Sequence, residues 1–190
     1  MIEELRAKIR GLVEDFIATD EESFTYETGD KIFTLQESNV TNVSSVKVNG
    51  VELGTAEWSF DSDTSELTIS SETGILDADD VIKVKYTFYK YTDSELKEYI
   101  RGALVWITVF AYCEDDYEIE TDDVYPTPDN KTEDLIALVA SILIKPDYSE
   151  YRLPTVTVKY PRTMCKEERI ESLIQKFKIG LGVNDTLDFN

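Results

Sequence analysis

YTDSELKEYIRGALVWITVFAYC, residues 91–113, is the stretch whose reading decides the fold. Thr92 stands where a helix N-cap accepts from the first free N–H groups, and Glu95 three residues on closes a capping box. Tyr91 before the cap and Leu96 beyond it are spaced for a hydrophobic staple. Leu96, Ile100, Ala103, Leu104, Ile107 and Phe110 then follow at helical spacing. Val105, Trp106, Val109 and Tyr112 fill the opposite side, so the second half is apolar almost all round. Such a helix needs neighbours on several sides, and it is expected to be the hub of a helical core.

Outward from the hub, the N-terminal segment 2–18 reads as a first helix, with Ile2, Leu5, Ile9, Leu12 and Phe16 in one stripe. Between residues 20 and 91 the period falls to two. Phe24 and Tyr26, then Phe33 and Leu35, flank the turn-like Glu27–Asp30. Val46 and Val48 face Val51 and Leu53 across Asn49-Gly50, the pair that a type I′ hairpin turn requires. Trp58 and Phe60 lead into the turn Asp61–Ser65, and Leu67 and Ile69 leave it. The longest strand, Val81–Tyr91, alternates Ile82, Val84, Tyr86 and Phe88 with Lys83, Lys85 and Thr87. About six or seven short strands in sequence imply a small antiparallel β-sandwich or barrel.

Beyond the hub, Glu114–Asp129 is an acidic, proline-containing surface loop with room for a short strand. Asn130 and Glu133 can start a helix whose run Leu135–Ile144 is apolar nearly all round, stopped by Lys145-Pro146. Residues 147–162 read as an extended arm or edge strand, and Met164–Lys178 as a last helix closed by Gly180. The tail 180–190 looks mobile or ordered by a partner. The fold class is therefore α+β: a helical core of about four helices (1–19 and 92–190) with an inserted β module (20–91).

Composition narrows the function. Acidic residues number 39 against 19 basic, a net charge of −20. Such a surface repels phosphates, so DNA binding driven by Lys and Arg is disfavoured. There is no histidine, which removes the usual general base and the commonest transition-metal ligand. Cys113 and Cys165 are far apart and in no metal-like spacing; two buried thiols are expected, with a single disulfide as the alternative. The first residues are amphipathic and charged, unlike a signal peptide. The run Leu135–Ile144 is about half of a membrane span. A soluble protein made in a cytoplasm is expected, with no membrane partner.

Three clusters invite chemistry. Asp61, Asp63, Ser65 and Glu66 have the look of a calcium loop but lack its mid-loop glycine and distal bidentate glutamate; a hairpin turn accounts for them. Glu114, Asp115, Asp116, Glu118, Glu120, Asp122 and Asp123 could bind cations or supply paired carboxylates, but catalysis needs two carboxylates in unlike environments, and a solvated loop is the simpler reading. Trp58 and Trp106 read as core. No Ser/His/Asp or Cys/His set, phosphate loop or dinucleotide fingerprint is present. No enzyme, metal or cofactor is implied.

The stretches TDSELKEYIRGALVWI (92–107), DLIALVASILI (134–144) and ERIESLIQKF (168–177) resemble the helical core of tailed-bacteriophage neck proteins, the head-to-tail connectors or adaptors. VKVNGVEL (46–53), WSFDSDTSELTI (58–69) and VIKVKYTFY (81–89) resemble segments common in phage structural proteins. The inserted β module departs from the simplest all-helical adaptors. The resemblance implies a virion protein of the neck, made in the host bacterial cytoplasm. It would form a homo-oligomeric ring, commonly of twelve copies, between a portal protein and a tail or second neck protein, with DNA passing but not specifically bound.

On that reading the intersubunit or partner contacts are Leu153, Val156, Val158 and Tyr160 of the arm and Leu181, Val183, Leu187 and Phe189 of the tail. The acidic loop would face the lumen or solvent. The alternative is a tail- or baseplate-associated binding module whose β domain recognises a glycan or host surface protein. It requires an exposed aromatic patch of Trp58 with some of Tyr86, Tyr89 and Tyr91.

Overall fold

Ile2, Leu5, Ile9 and Leu12 are all buried on helix α1 (Ile2–Leu12). The computed structural model describes residues 1–27, 29, 31–70, 76–110, 112, 116–121, 123–180 and 185–189. The helix is shorter than its stripe suggests. Glu14 turns into the left-handed region at φ +55°, and the Asp15 amide donates back to the Arg10 carbonyl. Phe16 therefore falls outside the helix and is 69% exposed. The chain divides into two compact units, one of Met1–Asp15 with Asp93–Asn190 and one of Phe16–Thr92.

The second unit carries β1 (Ala18–Thr25), β2 (Ile32–Thr34), β3 (Val40–Val48), β4 (Val51–Glu52), β5 (Trp58–Asp61), β6 (Glu66–Ile69) and β7 (Val81–Phe88). They form two antiparallel sheets, in the orders β1-β7-β3-β4 and β2-β6-β5. Asn49 (φ +50°) and Gly50 (φ +84°) make the β3–β4 turn as their residue types require. The residues flanking Glu27–Asp30 do not form a hairpin; Thr28 and Asp30 themselves lie outside the described residues. Strand β1 runs with β7 along eight paired residues, and β2 pairs with β6 along three. The longer ladder satisfies more backbone groups, so β1 and β2 sit in different sheets. Val46, Val84 and Tyr86 of one sheet and Phe33, Leu67 and Ile69 of the other belong to one buried cluster. Both sheet orders are open, and no closed barrel forms among the described residues.

The first unit adds α2 (Asp93–Val109), β8 (Glu118–Glu120), β9 (Asp123–Tyr125), α3 (Asn130–Ile144), β10 (Glu150–Arg152), β11 (Val156–Lys159), α4 (Lys166–Ile179) and β12 (Asp185–Asp188). Its central helix is α3, which packs on α1, α2 and α4. Leu135, Ile136, Ala137, Leu138, Val139, Ala140 and Ile142 are all 0% exposed. The expected hub is thus displaced by one helix. The physical reason is the breadth of the apolar surface: α3 is apolar round its circumference from Leu135 onward, whereas α2 buries one face, Leu96, Ile100, Ala103, Leu104 and Ile107. Trp106 is half-buried and stacks on Phe110, centroids 5.6 Å apart, rather than filling the core.

Helix α3 is capped by Asp129, one residue before the expected Asn130, whose side chain accepts from the Thr132 amide at 2.7 Å. Cys165 is the N-cap of α4, with Glu168 reaching back to its amide at 3.2 Å. It is free and exposed, which corrects the expectation of a buried thiol; Cys113 lies outside the described residues. The four helices and the antiparallel strands make the fold mixed α+β. Among the described residues no helix is long and apolar enough to cross a membrane.

Candidate interaction surface

The segment read as an arm is a hairpin. Strands β10 and β11 pair antiparallel, and β12 of the C-terminal tail adds to β11 in parallel. Alternation along β11 turns Val156 and Val158 inward with Tyr151, Leu153 and Tyr160, and all five are buried in this chain's own interior. Leu187 is buried with them, and Phe189 stacks on Tyr160, centroids 4.9 Å apart and planes within 9°. Five of the eight proposed contact residues, Leu153, Val156, Val158, Tyr160 and Leu187, are therefore core of the folded chain. The expectation that these five make intersubunit or partner contacts is corrected accordingly. Leu181 and Val183 lie outside the described residues. The reason is in the pattern: alternating apolar residues bury one face of a strand wherever a cover exists, and the helical unit supplies one.

Arg169 binds this hairpin to α4 and was not singled out by sequence reading. It is 1% exposed. Its Nε donates to the Met164 carbonyl at 2.9 Å, Nη1 to those of Pro146 and Tyr148 at 2.6 Å each, and Nη2 to that of Pro161 at 3.0 Å. Tyr151 and Tyr160 lie beside it, and burial pushes both phenols well above the ordinary tyrosine range. A second anchor joins α1, α3 and the β10–β11 turn. Buried Asp134 accepts from Lys8 Nζ at 2.7 Å and from the Thr155 hydroxyl, and Glu133 accepts from Lys8 at 3.0 Å. Burial alone would lower the Lys8 pKa, but the hydrogen bonds and charges of the two carboxylates outweigh it and raise the group.

The acidic loop is partly structured. β8 and β9 pair across Glu118↔Tyr125, Ile119↔Val124 and Glu120↔Asp123. Asp116, Glu118, Glu120 and Asp123 are exposed; Glu114, Asp115 and Asp122 lie outside the described residues. Asp123 has a defined task, accepting from the Ile2 amide at 3.2 Å and lying 3.8 Å from the N-terminal ammonium. It thereby satisfies an orphan donor and opposes the positive end of α1. No group of three or more acidic or cysteine side chains among the described residues is arranged to hold a metal ion. In the β unit the Asp61–Ser65 segment is a turn, with Asp61 Oδ1 accepting from the Asp63 amide at 2.9 Å.

Of the aromatic residues named for the binding-module alternative, Trp58, Tyr89 and Tyr91 are half-buried and Tyr86 is buried. Tyr86 is 0% exposed, and its hydroxyl donates to Glu22. Trp58 is half-buried against the β core, its indole N–H enclosed without a partner among the described residues.

Part of what the helical unit leaves open is apolar. Val105 is 57% exposed, Val109 69% and Ile179 82%. Beside the two valines lies a groove of about 380 Å³ between α2 and β8, floored by Leu104, Val105, Val109 and Ile119 and edged by Arg101 and Glu118. The sequence did signal this surface: Val105 and Val109 lie opposite the main stripe, where one layer of helices does not reach. No known protein-family model matches the chain, and no curated protein matches its sequence.

Proposed function

We propose that the chain is a structural subunit of a phage virion, a head-to-tail connector forming a homo-oligomeric ring between a portal protein and the tail and letting DNA through. The observation that carries the reading is the uncovered apolar surface of the helical unit. Val105 and Val109 on α2, Tyr125 on β9 and Ile179 at the end of α4 are all more than half exposed. Apolar surface on several elements suits a subunit covered by more than one neighbour, and head-to-tail contacts that close generate a ring. The net charge of −20 suits a channel wall that DNA passes without being held. The protein acts without catalysis, cofactor or metal. In the β unit, two open sheets with a common core are read as a small antiparallel sandwich.

The ring is tested by native mass spectrometry and negative-stain microscopy of the protein alone and mixed with a candidate portal. Annular particles with an integral copy number are expected. A monomer under both conditions overturns the reading.

A further inference from the structure

Strand β1 is a sheet edge with a long free side. All eight of its residues pair with β7, and in the order β1-β7-β3-β4 no described strand lies beyond it. Most of its residues, ATDEESFT, are exposed, and the chain enters it through Phe16 and Ile17, which are 69% and 58% exposed. A long exposed edge of this kind is a template for pairing with another chain. The placement of charge on it is unusual. The register sets Asp20 opposite Tyr86, Glu22 opposite Val84 and Phe24 opposite Ile82, and residues directly opposite share a face of the sheet. Tyr86, Val84 and Ile82 are all 0% exposed. Two carboxylates therefore stand on the core side of the edge strand, where alternation calls for apolar residues. Neither is in an ion pair with a described cation. Glu22 is held by the Tyr86 hydroxyl and by the Gln36 amide at 2.9 Å. Glu21, on the outer face, differs: Lys83 lies 3.6 Å from it, and Lys85 is its partner in the register.

We infer that the β1 edge is a strand-pairing surface for a second copy of this chain, held shut by Asp20 and Glu22. Take the antiparallel register centred on Glu21. Asp20 of each strand then stands opposite Glu22 of the other, about 5 Å away. Four carboxylates share one face of the joined sheet with no cation among them, and like charges directly opposite destabilise a strand pair. A second copy is singled out because the edge meets its own image across a two-fold axis, and charge at these two positions acts most strongly against a strand that carries the same charges. Inward-pointing charge is one of the ways in which an edge strand is kept from pairing. The inference is independent of the connector reading, because the apolar surface behind that reading lies on the helical unit and β1 lies in the other.

The test compares the full-length wild type with Asp20→Asn/Glu22→Gln by light scattering and by amide hydrogen exchange over residues 16–26. The neutral variant is expected to gain mass with concentration beyond whatever species the wild type forms. Its exchange over residues 16–26 should slow by at least about tenfold as it does so. Glu167→Gln/Glu171→Gln, which removes the same charge from exposed positions on α4, should leave both readings as they are in the wild type. Glu22→Gln also alters the bond to Tyr86, so a second experiment keeps charge on the strand. Wild type mixed with Asp20→Lys/Glu22→Lys should associate through β1, with slowed exchange over residues 16–26, whereas the lysine variant alone should not. Circular dichroism establishes that each protein is folded.

A folded neutral variant with the mass and exchange of the wild type overturns the inference. Equal association of the α4 variant overturns it too, because the effect is then a general loss of repulsion. Association of the neutral variant without slowed exchange over residues 16–26 puts the contact elsewhere and is likewise fatal. If the neutral variant is unfolded, the mixture decides: no association between the wild type and the lysine variant overturns the inference.

Discussion

The guanidinium of Arg169 lies 5.3 Å from the centre of the Tyr160 ring, and the Tyr160 hydroxyl donates to the Arg169 carbonyl at 3.1 Å. One residue of α4 thus holds Tyr160, just beyond the end of β11, by its backbone and its side chain together. No carboxylate among the described residues pairs with this buried cation. Its charge is instead spread over four backbone carbonyls, those of Pro146, Tyr148, Pro161 and Met164. Those carbonyls belong to segments that no ladder satisfies, so Arg169 does for the hairpin what a cap does for a helix.

Arg169→Met should therefore destabilise the helical unit severely. It leaves the carbonyls of Pro146, Tyr148 and Met164 short of a donor, while that of Pro161 keeps the Met164 amide; each loss costs about 1–3 kcal/mol where water cannot replace it. A loss of at least about 3 kcal/mol is expected in urea denaturation followed by far-UV circular dichroism. Arg169→Lys should recover only a part, because an ammonium cannot reach four acceptors in a planar fork. A loss below about 1 kcal/mol for the methionine variant would show that the carbonyls find other donors.

Lys8 and Asp134 tie α1 to α3, and their linkage has a definite sign. The Lys8 pKa is raised above 10.5 in the fold. Its contribution is therefore fully present below the unfolded value, including at neutral pH, and is lost as pH rises through the raised folded value. Lys8→Met should cost about 1–3 kcal/mol at pH 7, because buried Asp134 then keeps only Thr155 as partner among the described residues. It should also remove this part of the alkaline fall in stability. A stability difference between wild type and variant that stays constant from pH 7 to pH 12 would contradict the assignment.

Much of this architecture was legible because it rests on local chemistry. Asn49-Gly50, the alternation Ile82-Val84-Tyr86 and the stripe Ile170-Leu173-Ile174-Phe177 each announce one element, and each is found there. What was misread depends on tertiary competition. Leu153 to Tyr160 alternate as any half-buried strand does, and periodicity cannot say whether the cover belongs to this chain or to a neighbour. Arg169 looked like one more charge on a helix, because its acceptors come from 5 to 23 residues away. Val105 and Val109 made α2 look like the hub for the converse reason: an apolar side chain signals a need for cover, not its presence.

The Asp129 cap gives a prediction on the acid side. Its pKa is held below the ordinary carboxylate value by the hydrogen bonds to Thr132. A depressed carboxylate stabilises above its unfolded value of 3.8 and ceases to as pH falls through the folded value. Asp129→Ala should cost about 1 kcal/mol at pH 7, the usual cost of removing a cap. The difference should shrink as pH falls below 3.8 and through the lowered folded value. Thermal melts of both proteins across that range make the comparison.

Gly102 lies on α2 where a Cβ would meet Leu143 Cδ1 at 3.2 Å. Two effects oppose each other in Gly102→Ala. Alanine gains about 1 kcal/mol of helix propensity, and the single close contact is to the far end of a flexible side chain that can turn away. The alanine variant should therefore be neutral or slightly stabilising. Gly102→Leu meets the same wall with three more carbons, which must displace Leu143 from the α2–α3 contact, and should cost about 1–3 kcal/mol by overpacking. Alanine and leucine variants are compared by denaturant midpoint. If both are equally damaging, the backbone approach is tighter than one methyl allows; if both are harmless, α2 shifts on α3 at little cost, and the close packing of these helices does not fix their spacing.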